Sequence, residues 1–308
     1  QGGIGPFALT SFAEASSVSA LLAQETRTRR MPPWPPSSTC RPLREVRSLT
    51  DDEIAILGDW HAMGTPEGSR ADYVEPPNAP PPLPERPDFT GQPMAPYTPP
   101  MNALDDYRCF VVDPGWTESH KLTTIRITPG ESRTVHHLNV FEIKAQAVPA
   151  LMQVDARDAA EGYRCFSGAG VPITGSNGAI QVQFLAGWAP GTPALRTPDN
   201  TALRVDPGAR VVLQVHYNQL GGRGLPDRSK VDLYFSDQEA RRIAMVVPLS
   251  ANDFRIPAGA ADHPVVAEAS PRSLGLPLNV TVYGEYAHMH GFGRSFHTEI
   301  VRADGTRA

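Results

Sequence analysis

Proline is the residue that most restricts how this chain can fold. The sequence has 32 prolines, about twice the usual share of roughly 5%. Eleven of them lie between positions 76 and 100. Because proline lacks a backbone N–H and has a fixed φ, such a stretch excludes helix and favours an extended chain. We therefore predict a proline-rich linker over 71–104, with differently built parts on either side.

The part before the linker, residues 1–70, has helical signals. Ser11 with Glu14 and Thr50 with Glu53 have the spacing of a capping box, in which two side chains satisfy the free amides at a helix start. The Met31-Pro32-Pro33-Trp34 run ends the first predicted helix near residue 29. We expect a small helical segment here.

Beyond the linker the chain changes to short runs rich in Val, Ile, Thr, Tyr and Phe, separated by Pro/Gly turns. Runs of this kind without intervening helices favour antiparallel sandwiches. We predict a mainly β fold, with a first β-sandwich over 105–245 and the beginning of a second, incomplete one over 246–308. The candidate strands are 107–112, 121–127, 134–144, 179–186, 209–218, 230–235, 243–248, 278–290 and 296–302.

Charge and hydropathy exclude two classes of partner. The formal net charge is −5 and no basic stripe is present, which argues against nucleic acid. No apolar run approaches the roughly 18 residues of a membrane span. The hydrophobic share of 40% is enough to bury real cores.

Two of the three cysteines share the same setting, Tyr107-Arg108-Cys109-Phe110 and Tyr163-Arg164-Cys165-Phe166, and Cys40 is left over. They are either two buried thiols or a disulfide. We favour the disulfide, which requires an oxidising compartment and so predicts a periplasmic or secreted protein.

Five of the nine histidines form three clusters within candidate strands, as His136-His137, His216 and His288-Met289-His290. Residues two apart on a strand face the same way, so His288 and His290 can bind one ion. His136 and His137 are neighbours, which point to opposite faces of a regular strand. Both can reach one metal only if the strand is bulged or strongly twisted there.

Clustered imidazoles indicate copper, zinc or iron rather than calcium or magnesium. A single strand histidine is more often a hydrogen-bonded core residue, but three clusters in apolar sequence favour metal binding. Three functions remain open on the residues: an oxygenase, a copper-binding or electron-transfer protein without catalysis, and a zinc hydrolase. The last is disfavoured because no Asp or Glu stands beside these clusters in the sequence as a general base.

Five motifs follow one another over about 105–308. They are Tyr107-x-Cys109, Val135-His136-His137, Cys165, Leu213-Gln214-Val215-His216-Tyr217 and His288-x-His290-x-x-Gly293. In this order the chain resembles the copper type II, ascorbate-dependent monooxygenases, the family of peptidylglycine α-hydroxylating monooxygenase and dopamine β-hydroxylase. The resemblance implies two jelly-roll-like sandwiches with one copper each. It also implies hydroxylation of a C–H bond in a small organic substrate by O2 and a one-electron reductant such as ascorbate.

The resemblance also assigns roles to these residues. His136, His137 and His216 correspond to the ligands of the electron-donating copper. His288 and His290 correspond to two ligands of the oxygen-binding copper and are the catalytic candidates. Cys109 and Cys165 correspond to a family disulfide, and Tyr107 and Gln214 to positions near the metals.

The sequence departs from the family pattern in two places. The family's third ligand of the oxygen-binding copper is a Met further along, whereas the sequence given stops at Ala308. We therefore expect this fragment alone to be inactive. In addition, Tyr286 stands where the peptide-amidating member has an Arg for the substrate carboxylate, so a glycine-extended peptide is not the expected substrate.

Residues 1–70 resemble the later part of a c-type cytochrome domain, which bacterial members of the family often carry. Met31 matches the expected axial haem ligand, and such a haem would be an electron donor. The Cys-x-x-Cys-His attachment motif is absent from the sequence. We therefore expect haem c only in a longer chain; a helical pair without haem is the alternative.

Overall fold

The structure is a computed structural model with two compact units. It describes residues 9, 11–32, 36–37, 43, 46, 48–74, 82–166, 168–176, 179–219, 224–249, 251, 253–274, 276–277, 279–285, 287 and 293–308. One unit is Pro82–Thr281; the other comprises the described residues of Phe7–Pro81 and Val282–Ala308.

Three helices form the helical unit: α1 (Phe12–Ser17), α2 (Ser19–Arg27) and α3 (Asp51–Ala62). The predicted helix starts are confirmed. Ser11 accepts a hydrogen bond from the Glu14 amide, and Thr50 and Glu53 form a complete capping box. The helices have little core of their own, because none of their apolar side chains is buried.

The larger unit is a β-sandwich, so the predicted mainly β class is confirmed. The strands are β1 (Phe89–Gly91), β2 (Asp105–Val112), β3 (His120–Thr128), β4 (Val135–Ile143), β5 (Tyr163–Arg164), β6 (Val182–Trp188), β7 (Leu195–Arg196), β8 (Thr201–Val205), β9 (Arg210–Asn218), β10 (Lys230–Phe235) and β11 (Arg242–Ala244). One sheet has the order β1-β10-β3-β8-β11 with β7 beside β3, and the other has the order β5-β2-β9-β4-β6. All named pairs are antiparallel except β8 and β11.

Two apolar cores cover the faces of the second sheet. The larger core lies between the sheets and includes Leu122 and Leu233 from the first sheet and Leu138 and Leu213 from the second. The smaller core lies on the opposite face of the second sheet, under helix α4 (Val148–Asp155). This outer face is therefore covered at one end, and the histidine cluster lies toward its other end.

The second half of the predicted linker is part of the sandwich rather than a tether. Strand β1 lies inside 71–104 and pairs with β10, and Tyr97 is buried and bridges to Asp227. This part of the chain packs against the sandwich because proline is compatible with an edge strand, and because Phe89 and Tyr97 supply apolar surface to bury.

The predicted second sandwich over 246–308 stays a prediction. In the described part of this segment the β pairing consists of two isolated bridges, at Val246 and between Val301 and Arg307. Much of the candidate strand 278–290 lies outside the described residues. None of the helices that the structure describes is long and apolar enough to cross a membrane.

Candidate metal centre

A bulge in β4 brings two neighbouring histidines to the same face of the sheet. Val135 pairs with Tyr217 on β9, and His137 pairs with the next residue back, His216, so His136 is an extra residue in β4. Val135 belongs to the core between the sheets, while both histidines face away from it and toward His216. The strand irregularity that adjacent ligands require is therefore present.

The three imidazoles converge through their Nδ1 atoms. Nδ1 of His137 lies 3.2 Å from Nδ1 of His136 and 3.3 Å from Nδ1 of His216. One ligand atom from each residue can be chosen so that all lie within 4.8 Å of one another. With metal–nitrogen bonds of about 2.0 Å, two ligand nitrogens on a tetrahedral or trigonal ion are roughly 3.3–3.5 Å apart. An all-imidazole set with this spacing fits copper or zinc.

The imidazole of His216 is also held by contacts at Nε2, the ring nitrogen that faces away from the point where the Nδ1 atoms converge. Its Nε2 lies 2.9 Å from the Asp105 carboxylate, which also accepts a hydrogen bond of 2.8 Å from the Asn218 amide. The Tyr107 ring stacks on the imidazole with 4.1 Å between centroids and 6° between planes. The ring plane of His216 is therefore set by contacts from both β2 and β9.

Burial favours the neutral form of His216 that a metal requires. The side chain is buried, and desolvation lowers the pKa of His216 below its usual 6.5, although the hydrogen bond with Asp105 acts in the opposite direction. For Asp105, burial raises the pKa, but hydrogen bonds from Asn218 and His216 outweigh it and the net pKa is lowered from 3.8. At neutral pH the pair is therefore a neutral imidazole beside a carboxylate.

The predicted disulfide is present between Cys109 and Cys165, 56 residues apart. It places Phe166, which is 73% exposed, edge-on against Tyr107 at 5.0 Å between centroids. The disulfide thus holds an aromatic side chain next to the one that stacks on His216.

Gln214 connects the disulfide loop to the histidine-bearing strand. Its amide nitrogen donates to the Gly168 carbonyl at 2.8 Å, and its amide oxygen accepts from Asn139 at 3.0 Å. Two residues further along β9 is His216. Tyr107 and Gln214 therefore both lie near the cluster, Tyr107 in direct ring contact and Gln214 through the strand.

Sequence reasoning missed Asp105, Asn218 and Phe166. A usable signal existed for Asp105, because it is two residues before Tyr107 on the same strand and so faces the same side. Asn218 could have been found in the same way, because it is two residues after His216 on one strand and so faces the same side. Phe166 was visible only as part of a repeated motif.

The predicted oxygen-binding pair, His288 and His290, lies outside the described residues. The predicted haem ligand Met31 is described. It lines an apolar cavity of about 500 Å³ in the helical unit. Met31 itself is about half exposed, and its thioether is of the type that can ligate haem iron. The other lining residues are Leu9, Ala15, Leu22, Thr26, Pro32, Leu49, Leu57 and Trp60.

Comparison with known proteins adds no assignment. No protein-family model matches the chain, and no curated protein matches it at a significant level. The chemistry of the site therefore rests on its geometry: three imidazoles on one hydrogen-bonded strand pair, partly accessible at His136 and His137, able to hold one transition-metal ion.

Proposed function

We propose that this chain is part of a copper-dependent monooxygenase that hydroxylates a C–H bond of a small organic substrate. One oxygen atom of O2 enters the product as a hydroxyl group and the other leaves as water, with two electrons and two protons supplied by a reductant such as ascorbate. The observation that carries the proposal is the convergence of His136, His137 and His216, made possible by the β4 bulge. The motif order in the sequence supports the same family.

Copper, when bound, supplies one-electron redox chemistry and the activation of O2. The chain's own residues orient and enclose it. His136, His137 and His216 would hold the electron-donating copper, with Tyr107 restricting the motion of His216. In the proposal His288 and His290 hold the second copper. The disulfide supports a periplasmic or secreted location, because such bonds persist in oxidising compartments.

Haem is the proposed electron donor of the helical unit. The cavity beside Met31 is lined almost entirely by apolar side chains, and the three helices bury no apolar residue among themselves. In a chain extended to include an attachment motif, the haem absorption spectrum should differ between the unaltered protein and Met31→Ala. Identical spectra would remove haem held by Met31 from the proposal.

Copper stoichiometry tests the first centre. His136→Ala, His137→Ala and His216→Ala should each lose the corresponding copper, while His263→Ala, at an exposed histidine, should retain it. Electron paramagnetic resonance identifies the metal, since Cu(II) gives a signal and zinc is silent. Unchanged copper binding in His137→Ala would defeat the assignment.

A non-catalytic copper-binding or electron-transfer protein is the second candidate. One observation favours it: the cluster of His136, His137 and His216 could by itself hold the single metal ion that an electron carrier needs. The two functions differ in oxygen use. A monooxygenase consumes O2 in step with substrate hydroxylation in a chain extended to include a further ligand, whereas an electron carrier undergoes redox cycling without product.

A further inference from the structure

We propose that Asp105 is a positioning residue for the His136/His137/His216 centre. Its carboxylate holds the imidazole hydrogen of His216 on Nε2, and so leaves the Nδ1 lone pair directed at the metal. The inference deepens the proposed function and rests on its metal centre.

The hydrogen bond determines which nitrogen of His216 is free. A neutral imidazole carries one ring hydrogen, and a carboxylate can only accept. With Asp105 2.9 Å from Nε2, the hydrogen belongs on Nε2. Nδ1, on the other side of the ring, lies 3.3 Å from Nδ1 of His137, where the ligand atoms converge. The other tautomer, with the hydrogen on Nδ1, would aim an N–H at the convergence point instead of a lone pair.

The carboxylate is itself held in place. Asp105 is opposite Asn218 in the β2–β9 register, and the Asn218 amide donates to the same Oδ1 atom that contacts His216. Tyr107, two residues along β2, stacks on the His216 ring. The backbone ladder thus fixes the acceptor, and the stacked ring limits rotation of the imidazole.

A carboxylate in this position also affects the strength of the ligand. Accepting the Nε2 hydrogen raises the electron density on Nδ1, which strengthens its bond to the metal. The added negative charge favours Cu(II) over Cu(I). Loss of this partner should therefore weaken copper binding and raise the reduction potential, as loss of such outer partners commonly costs about 10–100-fold in metal affinity.

The test compares Asp105→Ala and Asp105→Asn in the full chain. Asparagine keeps an acceptor oxygen but removes the charge, whereas alanine removes both. Asp113→Asn is the matched control, because Asp113 directly follows the other end of β2 and pairs with Arg210. The measurements are copper affinity by competition with a chelator, the Cu(II) paramagnetic resonance spectrum, the reduction potential, and the Tm of the metal-free protein.

We expect Asp105→Ala to lose about 10–100-fold in copper affinity, with a changed resonance spectrum. Asp105→Asn should recover part of the affinity and retain a raised potential. Metal-free Tm values close to that of Asp113→Asn would show that folding is preserved. Wild-type affinity, spectrum and potential in both Asp105 variants would overturn the inference.

His137→Ala separates this inference from the proposed function. If His137→Ala loses copper while both Asp105 variants are unchanged, the metal centre stands and the positioning role of Asp105 fails. If His137→Ala binds copper as the wild type does, the centre itself fails, and the role of Asp105 fails with it.

Discussion

At the scale of single residues, Gln214 joins more parts of the site than its sequence context indicates. It is 3% exposed and contacts both the disulfide loop, at Gly168, and β4, at Asn139. Glutamine can serve both partners because its amide carries a donor and an acceptor. No apolar or singly charged side chain could satisfy both.

Replacing Gln214 by alanine should therefore destabilise the protein. The half-buried Gly168 carbonyl and Asn139 amide would each lose a partner. Leaving a fully buried group unsatisfied costs about 1–3 kcal/mol, so we expect a loss toward the lower end of this range. Urea unfolding of Gln214→Ala measures the loss in unfolding free energy. Gln146→Ala is the control, because Gln146 is exposed and its side-chain amide nitrogen donates a hydrogen bond to the Ile180 carbonyl. Equal stability of the two variants would contradict this role.

The candidate ligands His136, His137 and His216 were predictable from the sequence, but the residues that support them were not. His136, His137 and His216 were identifiable because imidazoles recur in apolar strand sequence. Their Nδ1 convergence was not, because the side-chain rotamers depend on neighbours from β2. Asp105 was overlooked because its partner, His216, is 111 residues away and the strand register was unknown.

At the scale of elements, the bulge in β4 is the feature on which the cluster depends. It was predictable as a requirement, since adjacent histidines cannot otherwise share an ion, and the register shift between Val135 and His137 bears this out. The edge strand β1 and helix α4 were not predicted. Strand β1 lies in proline-rich sequence, and α4 is a single short helix in a region of strands.

Deleting His136 should convert β4 to a regular strand without unfolding the sheet. Val135 would still pair with Tyr217 and His137 with His216, because His136 is the extra residue. We expect a Tm within about 2–4 °C of that of His136→Ala, a shift corresponding to roughly 1 kcal/mol or less, and loss of copper in both variants. A circular dichroism melt and a copper assay check this; unfolding of the deletion variant alone would show that the bulge is needed for the fold.

Asp232 makes the first sheet sensitive to acid. Its fully buried carboxylate on β10 binds Thr90 on β1 and Arg126 on β3. Burial raises the pKa of Asp232, but the hydrogen bonds and the charges of Lys230 and Arg126 outweigh it, so the net pKa is lowered from 3.8. Because the folded pKa is the lower one, Asp232 stabilises the fold above pH 3.8, and this contribution is lost as the pH falls through the folded value.

Asp232→Asn should therefore reduce stability at neutral pH, by about 1–3 kcal/mol, and flatten the fall in stability below about pH 4. Unfolding free energies measured by urea titration across that range give both quantities. Asp237→Asn is the control, since Asp237 is exposed just after the end of β10. A variant with the wild-type pH slope would show that another group causes the acid sensitivity.

At the scale of the whole molecule, the division into a helical part and a β part was predictable from composition alone. The position of the boundary was not. Proline content marks an extended chain but does not show whether that chain is free or packed, and the predicted linker from Pro82 onward belongs to the sandwich unit, which extends to Thr281. The pairing of Cys109 with Cys165 was predictable because the two share one motif, and Cys40 does not.

The disulfide should contribute substantially to the stability of the sandwich. It closes a loop between residues 56 apart, which restricts the unfolded chain. A Cys109→Ser/Cys165→Ser double variant should lose about 2–4 kcal/mol. Denaturant unfolding checks the value, and Cys40→Ser provides the control. A loss no larger than that of the control would show that the sandwich does not depend on this bond.

The three imidazoles of the candidate centre come from two adjacent strands of one sheet, on the side opposite the core between the sheets. The hydrogen-bonded pairing of these two strands therefore sets the spacing of the donor atoms, and the distance between the two sheets does not affect it. Over evolutionary time the apolar filling between the layers could be exchanged, and thermal tolerance could drift with it, while the coordination sphere stays unchanged.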